Sequence, residues 1–205
     1  SRMLSAATAA GVDAVKIQLF VAEVFPDWEA NYKRRQEFPR GEVGWLMDRA
    51  HNIGLLAGAS VFDPEAIQIC NDAGADFVKL AQREQDNVGL RAAVSQGFPR
   101  TIYRSVQWPL KVPVTPGPRE ITMACVPVYP SLGLDNLGNQ FLSDFLPSPY
   151  GWSSHTPHWA DCLAAVRSGA TVIEKHLALD DEDEERRWSL TASVMAEMVT
   201  ALRAV

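Results

Sequence analysis

A pattern of small and polar residues followed by a short apolar run occurs three times along the chain. In each case the small residues end at a glycine, and the apolar run carries a lysine: Gly11–Lys16, Gly74–Lys79 and Gly169–Lys175. Glycine commonly ends a helix, and an uninterrupted apolar run is typical of a strand that is buried on both faces. The repetition therefore predicts helix–glycine–strand units around a parallel sheet.

The same alternation, followed along the whole chain, predicts seven strands. They are Ala14–Leu19, Leu55–Val61, Phe77–Ala81, Thr101–Val106, Thr122–Val126, Tyr150–Ser154 and Thr171–His176. The helices predicted between and after them include Val43–Asn52, Pro64–Ala73, Trp159–Ser168 and Leu190–Val205. The proline at position 64 supports its helix, because proline suits the first helical turn.

Seven strands with alternating helices fit either an open doubly wound sheet or most of an eight-stranded barrel. No glycine-rich phosphate loop follows any strand, and polar residues lie at the strand ends, as on the catalytic face of a barrel. We therefore expect one α/β domain over residues 1–205, of the (β/α)8 TIM-barrel type and short of one strand at its N-terminus. Such a barrel has an exposed edge, so either an eighth strand precedes Ser1 or another segment closes the gap.

Composition narrows the class of protein. The 205 residues are 47% hydrophobic and 21% charged, which suits one globular domain with a full core. The net charge of −6 and the lack of a basic stripe argue against a nucleic-acid partner, and no apolar run approaches a membrane span. Three scattered cysteines, Cys70, Cys125 and Cys162, indicate buried reduced thiols in a cytoplasmic protein.

The stretch from Trp152 to His176 contains the most specific candidate chemistry. Side chains alternate along a strand, so His155 shares a face with Ser153, and His176 shares a face with Glu174. If the two strands are parallel neighbours, both histidines and the carboxylate meet at one rim, where imidazoles suit a transition metal. The alternative is that the two histidines lie in the surface or the core and never meet.

Other polar residues lie at the predicted strand ends or just beyond them: Lys16, Gln18, Ser60, Lys79, Glu84, Ser105 and Tyr129. Lysines and hydroxyls around one rim bind a phosphate or a carboxylate through charge-assisted hydrogen bonds. The alternative for each lysine is simple exposure to solvent. The charged block at 180–187 is interpreted either as a solvated loop or as a substrate contact.

Six motifs, in order, resemble the sialic acid synthase family. They are Asp13–Gln18 (DAVKIQ), Ser60–Asp63 (SVFD), Asp76–Ala81 (DFVKLA), Tyr129–Pro130, Gly151–Thr156 (GWSSHT) and Val172–His176 (VIEKH). They extend over almost the whole chain, and the last two, with their separation, are the specific ones.

The resemblance implies a cytoplasmic barrel enzyme, a transferase of carbohydrate biosynthesis that condenses phosphoenolpyruvate with an amino-sugar aldehyde; it also allows a homo-oligomer. It implies that His155 and His176 hold a divalent metal, Mn²⁺ or Mg²⁺. It assigns the phosphate to Lys79, Ser60, Ser105 and Ser153, with Lys16 against the same ligand and Gln18 and Tyr129 toward the sugar. Glu174 would order a metal-bound water, and Glu84 would be an acid near the reacting centre, so that Glu84, Glu174 and Lys79 are the candidate catalytic residues.

The sequence also departs from the family pattern. Gln82 replaces a family serine, Pro127 replaces a polar residue, and Ser154 replaces an aspartate. We further expect the family's first-strand motif and its C-terminal antifreeze-like domain to be missing. These departures favour a second interpretation, a degenerate, non-catalytic binding or partner protein. The histidine pair, Glu174 and the strand-end lysines favour the enzyme, and an unrelated metal aldolase or lyase on a barrel is a third interpretation.

Overall fold

A computed structural model describes residues 2–24, 26, 33–110, 113–131 and 142–205 of the chain, and the fold is of the α/β class. The strands are β1 (Ala14–Leu19), β2 (Leu56–Val61), β3 (Phe77–Leu80), β4 (Thr101–Gln107), β5 (Glu120–Cys125), β6 (Tyr150–Ser154), β7 (Val172–Leu177) and β8 (Ser189–Leu190). The helices are α1 (Arg2–Ala10), α2 (Val43–His51), α3 (Pro64–Asp72), α4 (Val88–Gly97), α5 (Ala160–Arg167) and α6 (Ala192–Arg203).

The chain divides into two compact units. The first unit consists of residues 13–103, and the second consists of residues 1–12 and 104–205. The expectation of a single domain over residues 1–205 stays a prediction.

In the first unit, β1, β2 and β3 form a parallel sheet. The register aligns Gln18 with Ser60, and Ser60 with Lys79, so polar residues of three strands lie at one level. Beyond the strand ends, the rings of Phe20 and Phe62 pack edge to face with centroids 5.8 Å apart. The sheet thus presents a row of polar groups beside an aromatic contact.

The α3 helix shows how local sequence sets the geometry of the first unit. Asp63 is its N-cap and accepts the backbone N–H of Ala66 at 2.8 Å, while Pro64 occupies the first turn. Arg40 donates two hydrogen bonds to the same carboxylate. Partial burial raises the pKa of Asp63, but the hydrogen bonds from Arg40 and Ala66 and the charge of Arg40 outweigh it and hold the pKa below its usual value. The start of α3 is therefore held by a charged cap.

In the second unit, β5 to β8 pair in parallel in chain order. The register aligns Ser153 with Glu174 and His176 with Ser189. Helix α1 packs against α6, and the Arg203 side chain donates to the carbonyl oxygen of Gly11 at 3.0 Å. The large buried side chains of this unit's core include Trp108, Leu142, Leu146, Trp152, Leu190 and Met195.

The predicted strands agree with the observed ones to within two residues. The helix–glycine–strand repeats are confirmed as well, because Gly11, Gly74 and Gly169 all have positive φ, at 70°, 71° and 96°. That conformation is readily available only to glycine, and it turns the chain from the helix end toward the next strand. A fourth glycine of this kind, Gly54 with φ of 81°, precedes β2 and was not recognised in the sequence.

The structure corrects the prediction at the end of the chain. The residues predicted to begin a helix at Leu190 first form β8, which pairs with β7, and the helix starts at Ala192. A two-residue strand is too short to produce a periodic pattern, which is why the sequence gave no indication of it. Nothing tests the expectation of a strand upstream of Ser1.

The three cysteines are buried and reduced. Burial raises the pKa of the Cys70 and Cys162 thiols to about 12, so these two are inert at neutral pH. In the ranges that the structure describes, the helices are too short or too polar to cross a bilayer. The cytoplasmic location stays a prediction.

Replacing Gly151 by alanine should destabilise the second unit by roughly 1–3 kcal/mol, because overpacking forces the backbone to move. A Cβ at this position would lie 2.7 Å from the carbonyl oxygen of Val172 on the paired strand. Urea denaturation measures the change. The matched control is Gly44→Ala on α2, where a Cβ meets no atom within 4 Å; it should gain up to about 1 kcal/mol. Equal stabilities of the two variants would contradict the prediction.

Candidate functional site

Two imidazoles meet at the ends of β6 and β7 in the second unit. His155 follows the last residue of β6 and His176 lies near the end of β7, and their ring centroids are 5.5 Å apart. Only 5% of His155 is exposed, whereas His176 is half-buried. The alternative in which the two histidines never meet is therefore wrong, although the role of the pair stays a prediction.

Each histidine is oriented by an oxygen atom at Nδ1. For His155 this is the carbonyl oxygen of Val126 at 3.0 Å, and for His176 it is a carboxylate oxygen of Glu185 at 3.0 Å. Carbonyl and carboxylate oxygens only accept hydrogen bonds, so each Nδ1 carries a hydrogen and the neutral ring keeps its lone pair on Nε2. Both rings therefore have the same tautomer, with the same nitrogen available as a ligand.

A hydroxyl and a carboxylate lie on the same face of these two strands. Ser153 donates to Glu174 at 2.8 Å, as the register of β6 and β7 requires. On β4, the hydroxyl of Ser105 is buried and has no hydrogen-bond partner within the described ranges. A buried hydroxyl without a partner is a group that a ligand oxygen can satisfy, which is compatible with the predicted role of Ser105.

Aromatic rings cover the histidine pair. Tyr129 follows β5, is 52% exposed, and lies against His155 with the ring centroids 4.1 Å apart. It also contacts His176 and Trp188 edge to face, at 6.1 and 5.7 Å. Tyr129 thus lies where the sequence predicts a substrate contact, and Trp188 is an additional neighbour.

A buried polar network lies on the opposite face of β6 and β7. Lys175 donates to the hydroxyl of Ser154 at 2.9 Å and to the carbonyl oxygen of Thr156. The Thr156 hydroxyl lies within hydrogen-bond distance of two acceptors, the carbonyl oxygen of His158 at 2.6 Å and the fully buried Asp161 at 2.9 Å. The Asp161 carboxylate also accepts the indole N–H of Trp152 at 2.8 Å. Burial lowers the pKa of Lys175, an effect that nearby Cys162 and Asp161 oppose. The network holds the turn that carries His155.

The first unit contains a separate cationic cluster. Lys16 donates to the hydroxyl of Ser60 at 2.8 Å, and Ser60 is in register with both Gln18 and Lys79. Lys79 and Ser60 are buried, at 5% and 3% exposure. A buried ammonium beside hydroxyls is suited to an anion, so four of the predicted binding residues lie together here.

Glu84 belongs to a short helical turn after β3. Its carboxylate accepts a hydrogen bond from Asn87 at 2.9 Å and lies 3.7 Å from Arg83. The side chain is therefore held by its own loop. The role of Glu84 as an acid near the reacting centre stays a prediction. Gln82 begins the same helical turn.

The acidic block at 180–187 is largely bonded to itself. Asp181 pairs with Arg186 at 2.7 Å, and Asp183 accepts the backbone N–H of Glu185 at 2.9 Å. These contacts give the loop internal order, and Glu185 reaches a candidate site residue, His176. Nothing tests the block's predicted contact with substrate.

The donor set suits a divalent metal in part. Imidazole nitrogens suit a transition metal better than Mg²⁺, which prefers oxygen ligands, so Mn²⁺ fits the pair better than Mg²⁺. The oxygens at Nδ1 are the partners that metal-binding histidines usually have. No cluster of three or more histidine, cysteine or acidic side chains in the described part of the chain is placed to hold an ion. A metal here would have the Nε2 atoms of His155 and His176 as its two protein ligands and oxygen ligands for the rest.

Sequence reasoning missed three residues of this region: Glu185, Trp188 and Asp161. Glu185 lies inside a charge block without periodicity and Trp188 directly follows it, so no pattern placed them near the histidines. Asp161 carried a weak signal, since a carboxylate on the apolar face of a predicted helix needs buried partners.

Comparison with known proteins supports the resemblance. Residues 117–205 match the NeuB family. Over 188 residues the chain is 27% identical to N-acetylneuraminate-9-phosphate synthase of Mus musculus, covering 85% of this chain and 52% of the relative. The Homo sapiens protein of that name is 26% identical over 189 residues, with the same coverage. The chain thus spans about half the length of these curated relatives.

A solved structure matches nearly the whole chain. It is the N-acetylneuraminic acid synthetase of Leptospira borgpetersenii, with 24% identity, a TM-score of 0.86, and coverage of 99% of this chain and 76% of that one. The match shows that the fold is α/β of the TIM-barrel type. Together with the NeuB match over residues 117–205 and the two curated relatives, it confirms the resemblance to the sialic acid synthase family.

Proposed function

We propose that this protein condenses phosphoenolpyruvate with an amino-sugar or related aldehyde and releases phosphate, giving a sialic-type acid. The observation that carries the proposal is the pair of histidines with matched tautomers, 5.5 Å apart, beside the Ser153–Glu174 hydrogen bond. Both features lie in the segment that matches the NeuB family.

The first unit would supply the anion site. Lys79, Lys16 and Ser60 offer two ammonium groups and a hydroxyl at the ends of adjacent strands. Charge-assisted hydrogen bonds of this kind suit the phosphate and carboxylate groups of phosphoenolpyruvate. Gln18, in register with Ser60, would contact the sugar as the resemblance implies.

The second unit would supply the carbonyl chemistry. His155 and His176 would hold a divalent metal, and the chemistry it would supply is polarisation of a carbonyl. The enol carbon of phosphoenolpyruvate would form a bond to the aldehyde carbon while the aldehyde π bond breaks and its oxygen takes up a proton. Water would then add to the adjacent carbon and lose a proton, and the C–O bond to phosphate would break to leave a keto group. Glu174, which accepts a hydrogen bond from Ser153, would hold that water, and Tyr129, which packs against His155, would contact the sugar.

The test is calorimetric titration of phosphoenolpyruvate with and without Mn²⁺, followed by a phosphate-release assay. The acceptors would be N-acetylmannosamine, its 6-phosphate and related amino sugars. We expect binding that strengthens with Mn²⁺ and phosphate release that requires one acceptor. Binding without phosphate release from any acceptor would favour the non-catalytic interpretation, and no binding by folded protein would refute both.

Replacing Lys79 by methionine should weaken phosphoenolpyruvate binding by roughly 1.5–3 kcal/mol, the contribution of a hydrogen bond to a charged group. Methionine keeps the apolar stem, so the buried position stays filled. Calorimetry measures the dissociation constant. The matched control is Arg49→Ala, which removes an exposed cation from α2 of the same unit. If both variants bind equally well, Lys79 does not hold the anion.

A further inference from the structure

A carboxylate outside the predicted site is hydrogen-bonded to one of the two histidines. Glu185 accepts the Nδ1–H of His176 at 3.0 Å, and their side chains are 22% and 19% exposed. Such a pair is shielded from water on most sides, so the hydrogen bond is stronger than one on an open surface. It connects the charged block directly to the candidate site.

Hydrogen bonds within the loop hold the segment around Glu185. Asp183 caps the turn by accepting the backbone N–H of Glu185, and the backbone carbonyl oxygen of Glu185 accepts the N–H of Trp188 at 3.0 Å. Arg186 joins Asp181 to the carbonyl oxygen of Ser189. Ser189 is in register with His176 on the neighbouring strand. The end of the loop therefore lies beside the same histidine that the Glu185 carboxylate contacts.

The contact has two chemical consequences for His176. A carboxylate cannot donate, so it fixes the hydrogen on Nδ1 and the lone pair on Nε2. A negative charge at Nδ1 also makes Nε2 a stronger electron donor, as in carboxylate–histidine–metal triads. His155 obtains its tautomer from a backbone carbonyl, which no side-chain substitution removes. Only the His176 half of the pair therefore depends on a replaceable group.

We propose that Glu185 is a positioning residue that sets the tautomer and the orientation of His176 and strengthens it as a ligand for a divalent cation. The part that concerns the cation rests on the proposed function, whereas the tautomer does not. The charged block thus contributes one working carboxylate, and Asp181 and Asp183 help to hold its loop in place.

The test compares Glu185→Ala and Glu185→Gln with a matched control, Glu182→Gln, which removes a charge from an exposed residue of the same loop. Long-range ¹H–¹⁵N spectra of the metal-free protein report the tautomer of His176. We expect the Nδ1–H form in the wild type and the control, a mixture in Glu185→Ala, and partial rescue in Glu185→Gln, whose amide oxygen still accepts. An unchanged tautomer in folded Glu185→Ala would overturn the proposal.

The second readout is Mn²⁺ affinity by electron paramagnetic resonance. Loss of a group behind a metal ligand typically weakens binding by roughly 10–100-fold, and we expect this in Glu185→Ala, a smaller loss in Glu185→Gln and none in Glu182→Gln. Equal affinities, or no Mn²⁺ binding by the wild type, would overturn the cation part. A changed tautomer in a protein without phosphate release would uphold the positioning role while the proposed function fails.

Discussion

Replacing His176 by alanine should weaken Mn²⁺ binding by roughly 100-fold or more, beyond the effect of losing a group behind a ligand. The variant loses one of the two imidazoles. We expect β7 to remain folded, because His176 is half-buried and its Nδ1 hydrogen bond goes to a loop side chain. Phosphate release should fall in parallel. Electron paramagnetic resonance measures the affinity, and circular dichroism checks the fold.

The control for this variant is His158→Ala. His158 is an exposed histidine three residues after His155, so its removal changes the histidine content without touching the pair. His155→Ala should lose Mn²⁺ as well, at a larger cost in stability, because His155 is buried and packs against Tyr129. Wild-type affinity in both His155→Ala and His176→Ala would rule out the proposed metal site.

Replacing Asp161 by alanine should lower the free energy of unfolding by roughly 1–3 kcal/mol. The change leaves one buried donor, the Trp152 indole N–H, without its acceptor, whereas the Thr156 hydroxyl keeps the carbonyl oxygen of His158 at 2.6 Å. A typical domain is stable by only about 5–15 kcal/mol, so the loss is substantial. Asp161→Asn keeps one acceptor oxygen and should lose less.

Urea denaturation measures this effect, with Asp48→Ala as the control. Asp48 is exposed on α2, where a substitution usually changes stability by about 0.5 kcal/mol or less. A double-mutant cycle of Asp161→Asn with Lys175→Met should be non-additive, because Thr156 joins the two side chains. Additive effects, or an unchanged midpoint in Asp161→Ala, would show that the network contributes little.

The features of this protein that could be predicted from its sequence are those that depend on strand periodicity and on residues close together in the chain. Strand periodicity places Ser153 with His155 on one face of β6 and Glu174 with His176 on one face of β7, and the observed contacts follow from parallel pairing of the two strands. The starts of β1, β3 and β7 could be predicted from local sequence as well, since a positive-φ glycine precedes each of them. Each of these features depends on residues that are close in sequence or aligned by register.

The parts that sequence reasoning did not reach depend on loop geometry. Glu185 lies nine residues after His176, beyond any helical or strand period, and the turns that return it are set by capping bonds such as that of Asp183. Asp161 on α5 provides the buried carboxylate of the network that contains Ser154 and Thr156. Because this carboxylate comes from a neighbouring helix, no fixed sequence spacing within the strand motif identifies it.

Strand β7 separates two kinds of chemistry by alternation alone. Glu174 and His176 lie on the face that contacts Ser153 and His155. Lys175, between them, lies on the opposite face, against the buried hydroxyl network. Point substitutions can therefore alter one face and spare the other. A single-residue insertion or deletion before Glu174 would exchange the faces, placing an ammonium among the imidazoles and an imidazole in the network. Both faces of this strand therefore depend on its length, whereas each face can be changed separately by substitution.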